Sequence, residues 1–183
     1  MPEFPTLQTE RLTLRAFQMD DAPVVQMYAS EKVIAANTLN IPHPYTQEMA
    51  EEWIGTHKEA FEDGQAVRFA ITFGESGKLI GAIGLEINAA HERAEIGYWI
   101  GKPHWGKGYC TEAMIAMLQH GLDALGLERI FATHFRKNPA SGRVMQKAGM
   151  KYEGRLRHHV KKWGEFVDLE MYSILRSNRE DDR

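Results

Sequence analysis

The sequence has little cysteine and no long apolar run. Its single cysteine, Cys110, excludes an intrachain disulfide and any metal site built from several thiolates. No apolar stretch approaches the roughly 20 residues that a membrane-spanning helix needs. The first residues, "MPEFPTLQTERL", also lack the basic and then apolar order of a secretory signal. We therefore expect a cytoplasmic protein with no membrane partner.

Charge of one sign is also scarce. The formal net charge is −3, so no overall basic field attracts nucleic acid, and basic residues cluster only locally, near 155–162. The chain has 183 residues, of which 43% are hydrophobic, as is typical of one globular domain with a real core. We predict a single domain over 1–176, followed by a polar tail over 177–183.

Hydrophobic periodicity predicts alternating strands and helices. The order is β-α-α-β-β-β-α-β-α-β-β, with short connections that favour antiparallel pairing and one β-α-β crossover. The predicted fold class is therefore α/β, with a mixed sheet and helices on both faces. Strands are expected over 11–17, 66–73, 79–88, 94–100, 129–135, 151–160 and 166–175, and helices over 19–30, 46–64, 111–125 and 138–150.

The stretch "YWIGKPHWGKGYCTEAM" joins a predicted strand to a predicted helix. It contains three glycines and two lysines within eight residues. Backbone amides and the helix dipole make such a junction an anion site, and glycine lets the backbone approach phosphate oxygens closely. We weigh three phosphate ligands for this loop against an ordinary strand–helix connection.

Two of these ligands fit poorly. A nucleoside triphosphate would use Gly101, Gly106 and Lys107 as a P-loop, but Gly108 follows where the metal needs a hydroxyl. A dinucleotide needs a third glycine where Thr111 stands, and an acidic residue near the end of the next strand, which is absent. The third ligand is the pyrophosphate of coenzyme A.

Several motifs, in order along nearly the whole chain, resemble the GNAT superfamily of acyl-CoA-dependent N-acetyltransferases. The family signature Arg/Gln-x-x-Gly-x-Gly/Ala falls on residues 105–110, where Gly108 matches but Trp105 and Cys110 depart from the pattern. "TERLTLRAF", "AEIGYWI", "WGKGY", "NPASGRVMQKAGMKYEGRLR" and "DLEMYSIL" resemble the branch of ribosomal-protein N-terminal alanine and serine acetyltransferases, the RimJ and RimL type.

This resemblance implies the GNAT acyl-CoA N-acyltransferase fold, acetyl-CoA as cosubstrate without a metal, and an amine as acceptor. It places the pantetheine arm beside the strand "AEIGYWI" and the pyrophosphate on the amides from Gly106 to Thr111. The coenzyme-binding residues that it implies are Trp99, Ile100, Trp105, Gly106, Lys107, Gly108, Tyr109, Cys110, Thr111, Asn138 and Ser141.

Glu95 is the first candidate for the general base. It lies on the strand that flanks the thioester, and strand alternation puts it on one face with Gly97 and Trp99. A surface carboxylate paired with Arg93 is the competing interpretation. The other candidate bases are Glu86 and the pair His158 and His159, which could equally form a solvated basic stretch.

The candidate group for stabilising the leaving thiolate is Ser141. Many relatives use a tyrosine seven residues after Asn138, but this chain has Met145 there. Ser141 carries a hydroxyl nearby, although it could instead bond its own helix backbone.

Asn138 has two interpretations, helix N-cap and ligand of the pantetheine amide. Cys110 is expected to pack as a small buried residue, since direct transfer needs no enzyme nucleophile.

The acceptor remains open between several classes. Tyr45, Trp53 and Trp163 are candidates for the wall of the acceptor pocket, and the loop "NTLNIPHPY" joins elements that border it in relatives. We expect a primary amine, either the N-terminal α-amine of a protein or a small molecule such as a polyamine, amino acid or antibiotic. A non-catalytic acyl-CoA-binding protein is the further alternative, and the chain is expected to be a monomer or a homodimer.

Overall fold

One mixed β-sheet runs through the part of the chain that the computed structural model describes, residues 3–177. Neighbouring strands are antiparallel except for the parallel pair β5 and β6, and the sheet order is β1-β2-β3-β4-β5-β6-β8-β7. The strands are β1 (Leu7–Gln8), β2 (Leu12–Ala16), β3 (Ala66–Phe73), β4 (Leu79–Asn88), β5 (Arg93–Ile100), β6 (Arg129–Phe135), β7 (Lys151–Lys162) and β8 (Glu165–Leu175).

Helices cover both faces of this sheet, as predicted. They are α1 (Ala22–Ala29), α2 (Lys32–Asn37), α3 (Gln47–Gly55), α4 (His57–Glu62), α5 (Tyr109–Gln119) and α6 (Pro139–Lys147), with short turns of 3-10 helix at Met19–Asp21, Ala89–His91 and Lys102–His104. One core cluster packs α5 and α6 against the sheet, and a second packs α1 and α3 against the opposite face. The mixed-sheet prediction is confirmed.

The predicted helix over 46–64 was wrong as one continuous element. The chain forms α3 and α4 instead, because Thr56 tightens the backbone between them. Its hydroxyl and its amide both donate to the carbonyl of Trp53, at 2.8 and 3.2 Å, in place of a regular helical bond. The predicted stop at Gly64 is confirmed, since its φ of +68° suits glycine.

Other boundaries also differ from the predictions. The short elements β1 and α2 were missed, because two and six residues carry too little periodicity to be recognised. The helix predicted over 111–125 begins earlier, at Tyr109, and α5 gives way to a π-helical turn over His120–Ala124. Most of the predicted polar tail, residues 178–183, lies outside the described residues.

The parallel pair β5 and β6 is hydrogen-bonded only at its beginning. The register covers Arg93–Arg129, Ala94–Ile130 and Glu95–Phe131 and then stops, although β5 continues to Ile100 and β6 to Phe135. The two strands therefore separate in the middle of the sheet. The peptide groups that face this gap have no ladder partner there, which creates a demand for hydrogen bonds from another molecule.

Within residues 3–177, no helix is both long and apolar enough to cross a membrane. Over the same residues, no group of three or more His, Cys, Asp or Glu side chains is placed to hold a metal ion.

Met145 of α6 is fully buried in the larger core cluster, between the sheet and α5. We expect Met145→Ala to lower the free energy of unfolding by about 2–5 kcal/mol, because it leaves a cavity in a close-packed site. Met145→Leu, which preserves the volume, should cost less than about 1.5 kcal/mol. Urea unfolding followed by fluorescence measures both. An alanine variant as stable as the leucine variant would show that this site is not close-packed.

Candidate active site

A cleft of about 690 Å³ opens where β5 and β6 separate. Its lining includes Trp99 on one face of the sheet and Ser141 of α6 on the other. The cleft therefore passes through the sheet, and two molecules entering from opposite faces would meet in the gap. α1, α3 and the loop over 37–42 form its wall on the Trp99 side.

The end of β5 presents both side chains and peptide groups to the cleft. Glu95 and Gly97 are exposed whereas Ala94 and Ile96 are buried, which confirms the predicted alternation. The amide of Gly101 donates to the carbonyl of Ile80 on β4, at 2.9 Å. Because peptide groups alternate along a strand, those of residues 98 and 100 face away from β4, towards the gap.

The side chain of Trp105 folds back and contacts the end of β5. Its indole Nε1 donates to the carbonyl of Ile100 at 2.6 Å, and the indole is 45% exposed. Two residues on this strand, Trp99 and Ile100, were predicted to contact pantetheine. The side chain of Trp99 lines the cleft. Ile100 directs its amide towards the gap, while its carbonyl is already used by Trp105.

The glycine loop has the backbone of an anion site. Gly106 and Gly108 adopt φ of +74° and +82°, a region that other residues rarely occupy. The first bond of α5 runs from the amide of Glu112 to the carbonyl of Gly108, at 3.0 Å. The amides just before Glu112 therefore have no partner within the helix and point out of its N-terminus. These amides lie on Tyr109, Cys110 and Thr111.

The third glycine has a different role. Gly101 has a φ of −56°, and a Cβ there would lie 2.6 Å from the ring of Tyr28. Close packing against Tyr28 therefore requires a glycine. Gly101, which completes the apparent P-loop spacing with Gly106 and Lys107, is therefore explained by packing against Tyr28 and not by phosphate binding.

Arg11 fixes the glycine loop from the far end of the sequence. Its Nη1 donates to the carbonyl of Lys107 at 3.1 Å, its Nε donates to Glu112 at 2.7 Å, and its guanidinium lies over the ring of Tyr109. Thr9 also donates to Glu112, at 2.6 Å. Sequence analysis missed these contacts, because Arg11 and Glu112 are 101 residues apart and no local pattern joins them.

The contacts of Glu112 matter because a carboxylate at a helix N-terminus would repel a phosphate. Burial opposes ionisation of Glu112, but the hydrogen bonds from Thr9 and Arg11 outweigh it and hold the pKa of Glu112 below its usual value. The carboxylate is thus ionised and already paired with a cation. The loop amides and Lys107 remain available for an anion.

Cys110 is half-buried in the first turn of α5 and packs against the larger core cluster. Burial raises the pKa of its thiol to about 12. The thiol is therefore protonated at neutral pH, because burial outweighs the stabilisation that a helix N-terminus gives to a thiolate. This environment favours the packing interpretation of Cys110.

Ser141 and Tyr98 form a hydroxyl pair at the edge of the cleft. The two oxygens are 2.6 Å apart, and the Tyr98 hydroxyl also lies 3.2 Å from the Ser141 carbonyl. The alternative in which Ser141 bonds its own helix backbone through its hydroxyl is not what the structure shows. Burial raises the pKa of Tyr98 far above its usual value, so Tyr98 remains a neutral phenol that can donate.

Sequence analysis missed Tyr98 as a functional residue. The alternation along β5 already placed it on the face opposite Glu95. Only the packing of α6 shows that it meets Ser141. Met145, at the position where many relatives are expected to carry a tyrosine, is fully buried and offers no hydroxyl.

Asn138 occupies the N-cap position of α6, as predicted, but its side chain makes no capping hydrogen bond. The terminus is organised by the backbone instead, since the Asn138 amide donates to the Phe135 carbonyl at 2.7 Å and its carbonyl accepts from Ser141. This geometry favours the second interpretation, in which the side-chain amide binds a ligand.

The candidate bases occupy different surroundings. Glu95 is exposed to the cleft and accepts a hydrogen bond of 3.3 Å from Thr133 on β6. Glu86 also lines the cleft, but both of its oxygens accept from Arg68 at 2.9 Å. Both oxygens of Glu86 are thus already engaged by Arg68. The predicted pairing of Glu95 with Arg93 is not among the ion pairs of the described residues.

The two histidines do not fit the role of base. His158 and His159 are exposed on β7, where the register with β8 shifts between Leu156 and Val160, and neither is among the described residues that line the cleft. A φ of +49° at His158 marks this bulge.

His134 on β6 is a histidine that sequence analysis missed. It is buried, lines the cleft, and its Nδ1 lies 2.9 Å from the Phe135 carbonyl. Since a carbonyl only accepts, Nδ1 donates, and Nε2 is the other ring nitrogen. A Cβ on Gly142 would lie 2.6 Å from that Nε2. Its one sequence signal was an ionisable side chain inside the strand "RIFATHF", whose other charged residue is Arg129 at its start.

The predicted acceptor wall is partly present. Tyr45 and Trp53 line the cleft together with the loop over 37–42. Trp163 instead lies at the turn between β7 and β8, 52% exposed, and is not among the described residues of the lining. Its ring contacts the ammonium of Lys162 at 5.1 Å.

Lys162 links this hairpin to the wall of the cleft. Its side chain is buried, and its Nζ donates to the carbonyls of Leu39 and Ile41, each at 3.0 Å. Burial, with a smaller contribution from Lys137, lowers the pKa of Lys162. Sequence analysis missed this contact, because its partners are backbone atoms more than 120 residues away.

Comparisons with known proteins agree with this architecture. The family model described as "Acetyltransferase (GNAT) domain" matches residues 11–151. The chain is 36% identical to the uncharacterized N-acetyltransferase p20 of Bacillus licheniformis, over 93% of this chain and 96% of the relative. It is 28% identical to the ribosomal-protein-serine acetyltransferase of Escherichia coli, over 84% and 86%.

A solved structure gives the same result for the fold. The crystal structure of a GNAT-family acetyltransferase from Bacillus anthracis superposes with a TM-score of 0.85 at 27% identity, over 94% of this chain and 99% of that one. The chain belongs to the GNAT family and is an N-acetyltransferase.

Proposed function

We propose that the enzyme transfers the acetyl group of acetyl-CoA directly to the N-terminal α-amine of a protein, in a ternary complex in the cytoplasm. The observation that carries this proposal is the cleft through the sheet, with Ser141 and Tyr98 on one side and Glu95 on the other. The similarity to a ribosomal-protein-serine acetyltransferase supports a protein acceptor.

The donor half of the cleft suits coenzyme A. The pyrophosphate would bind the amides from Gly106 to Thr111, whose glycines hold the loop open, with Lys107 beside them. The pantetheine arm would continue β5 by bonding the peptide groups that face the gap near Ile100. The uncommitted side chain of Asn138 lies at the start of α6, across the gap, where a pantetheine amide can reach it.

The chemistry joins the two sides. The amine nitrogen attacks the thioester carbon, the carbon–sulfur bond of the tetrahedral intermediate breaks, and the products are an amide and coenzyme A thiol. Glu95 accepts the amine proton through a water molecule. The Tyr98 and Ser141 hydroxyls are hydrogen-bonded at 2.6 Å, and in the arrangement that we propose Tyr98 donates, which leaves the Ser141 proton free to bond the departing sulfur. This hydroxyl pair supplies the proton donor for the thiolate that a tyrosine at position 145 would provide and that Met145 cannot.

The free energy needed to deprotonate an α-amine at neutral pH is small, so a weak base is sufficient. With a pKa of about 7.7–8.0, its deprotonation at pH 7 costs roughly 1–1.4 kcal/mol, whereas lysine at about 10.4 costs roughly 4.6 kcal/mol. Glu95 is exposed and lightly hydrogen-bonded, with a single donor at 3.3 Å. A modest base of this kind is matched to an α-amine.

A small amine is the second candidate acceptor. The carboxylates of Glu52, Glu86 and Glu95 all line the cleft and would attract a polycation such as a polyamine. Measuring thiol release from acetyl-CoA with peptide N-termini, polyamines and amino acids separates these acceptors.

We expect Ser141→Ala to lower kcat by about 100-fold, because the thiolate loses its proton donor. Binding of acetyl-CoA, measured by calorimetry, should change by less than about threefold, because the hydroxyl acts on the sulfur after bond breaking begins. Ser76→Ala, in the turn between β3 and β4, is the matched control. Unchanged turnover in Ser141→Ala would exclude this role.

Glu95→Gln removes the proposed base and keeps the shape of the side chain. We expect kcat/KM to fall by about 100-fold, because the amine proton loses its acceptor. Glu86→Gln is the discriminating variant, because Arg68 already holds that carboxylate. If Glu86→Gln shows the larger loss, the assignment of the base is wrong.

Cys110 should be dispensable for transfer. With a thiol pKa of about 12, only about one molecule in ten thousand carries the thiolate at pH 8. We expect slow labelling by iodoacetamide at pH 8, accelerating as the pH rises further, and full activity in Cys110→Ala within about threefold. Mass spectrometry measures the labelling at this single cysteine. Rapid labelling at pH 8 with loss of activity in Cys110→Ala would indicate a nucleophile.

A further inference from the structure

A cluster of basic side chains lies beside the cleft, on the loop after β6 and on the β7–β8 hairpin. We call it the basic rim, and its exposed members are Arg136, Lys137, Arg157 and Lys161. None of these four forms an ion pair with another residue in the described range 3–177. The whole chain carries a net charge of −3, so this concentration of cations is local.

Two contacts connect the loop after β6 with the hairpin. Lys137 is close enough to lower the pKa of Lys162. The amide of Arg136 donates to the carbonyl of Asp168 on β8, at 3.1 Å. Of the four acidic residues that the hairpin carries within the described range, Glu153 and Glu170 form ion pairs with Arg129 and Arg155. Asp168 accepts from the His158 amide at 2.9 Å through one oxygen, and Glu165 is exposed. Cations therefore outnumber anions on this surface.

The basic rim is continuous with the mouth of the cleft. Phe135 and Leu169 line the cleft, and Arg136 follows Phe135 directly. Lys162 holds the cleft loop against the hairpin through the carbonyls of Leu39 and Ile41. A chain that leaves the cleft on this side passes over the rim.

The cleft itself has the opposite charge. Glu52, Glu86 and Glu95 line it against one guanidinium, Arg68, which leaves a formal charge of 1 − 3 = −2. A negative cleft attracts an ammonium group, and a positive rim attracts carboxylates. The two charges lie in sequence along one path out of the site.

Exposed aromatic side chains lie next to the rim. Trp163 is 52% exposed and Phe166 is 62% exposed, and Lys161 lies over the Phe166 ring at 5.6 Å. Such side chains give an extended peptide an apolar surface between the charged contacts. A polyamine carries only positive charge and would be repelled by the same surface.

We infer that the acceptor is a protein N-terminus followed by acidic residues, whose amine enters the cleft and whose carboxylates bind the basic rim. This inference rests on the proposed function, because it assigns the substrate class of the same site. The rim selects the acceptor through KM, and it takes no part in acetyl transfer itself.

The test compares three peptides that share an N-terminal serine and differ at the following positions, which are acidic, neutral or basic. At low salt we expect KM for the acidic peptide to be about tenfold below that for the neutral one, with the basic peptide weakest. Raising the salt concentration should remove most of this difference, because exposed charges are screened.

Charge reversal separates the rim from the catalytic groups. The double variant Lys137→Glu, Lys161→Glu should lose or invert the preference, while kcat at saturating peptide and the thermal midpoint stay unchanged. Lys58→Glu, Lys151→Glu carries the same change of charge on exposed lysines away from the cleft and should keep the preference.

The outcomes distinguish this inference from the proposed function. Equal KM for all three peptides at low salt overturns the inference and leaves α-amine acetylation intact. Acetylation of small amines alone overturns both the inference and the protein acceptor. Inhibition by a single-stranded oligonucleotide, without preference among the peptides, would assign the rim to nucleic acid and overturn the inference.

Discussion

The separation of β5 from β6 is the constraint on which the site depends. Three paired residues on each strand tie them together, and beyond Glu95 and Phe131 they part. A sheet interior cannot leave peptide groups without partners at low cost, so the gap is stable only because it is open to water or a ligand. The cleft exists there because α6 and the loop over 37–42 border the gap from opposite faces. A donor and an acceptor can therefore meet without sharing an entrance.

Charged contacts between distant segments hold the two sides of this cleft in place. Arg11 joins the first long strand to the glycine loop and neutralises Glu112, so the anion site is not opposed by its own helix. Lys162 joins the hairpin to the acceptor loop and has carbonyls as partners instead of a carboxylate. Removing either cation leaves polar groups unpaired, which costs more than the contact itself contributes. The sheet provides the gap between β5 and β6, and these tertiary contacts then hold the two sides of the cleft in position.

The fold and the backbone of the glycine loop were predictable from the sequence, because both depend on local patterns. Alternation placed Glu95 and Tyr98 on opposite faces of β5, and Gly106 and Gly108 indicated a backbone that approaches phosphate. The break at Thr56 was not predictable, because the apolar periodicity continues through it. Tyr98, His134 and Lys162 were missed because their roles arise from neighbours far along the chain. The histidine pair on β7 lies at a bulge and is not among the described residues that line the cleft.

Hydrogen–deuterium exchange with and without acetyl-CoA tests the central claim most directly, because it reports on individual backbone amides. The account predicts new protection at the amide of Ile100 and at those from Gly106 to Thr111, since these donors gain partners in the coenzyme. The amides of β7 should be unaffected until an acceptor peptide is added. Protection confined to other segments, or none at all in the presence of acetyl-CoA, would contradict the account of the gap between β5 and β6 as the coenzyme site.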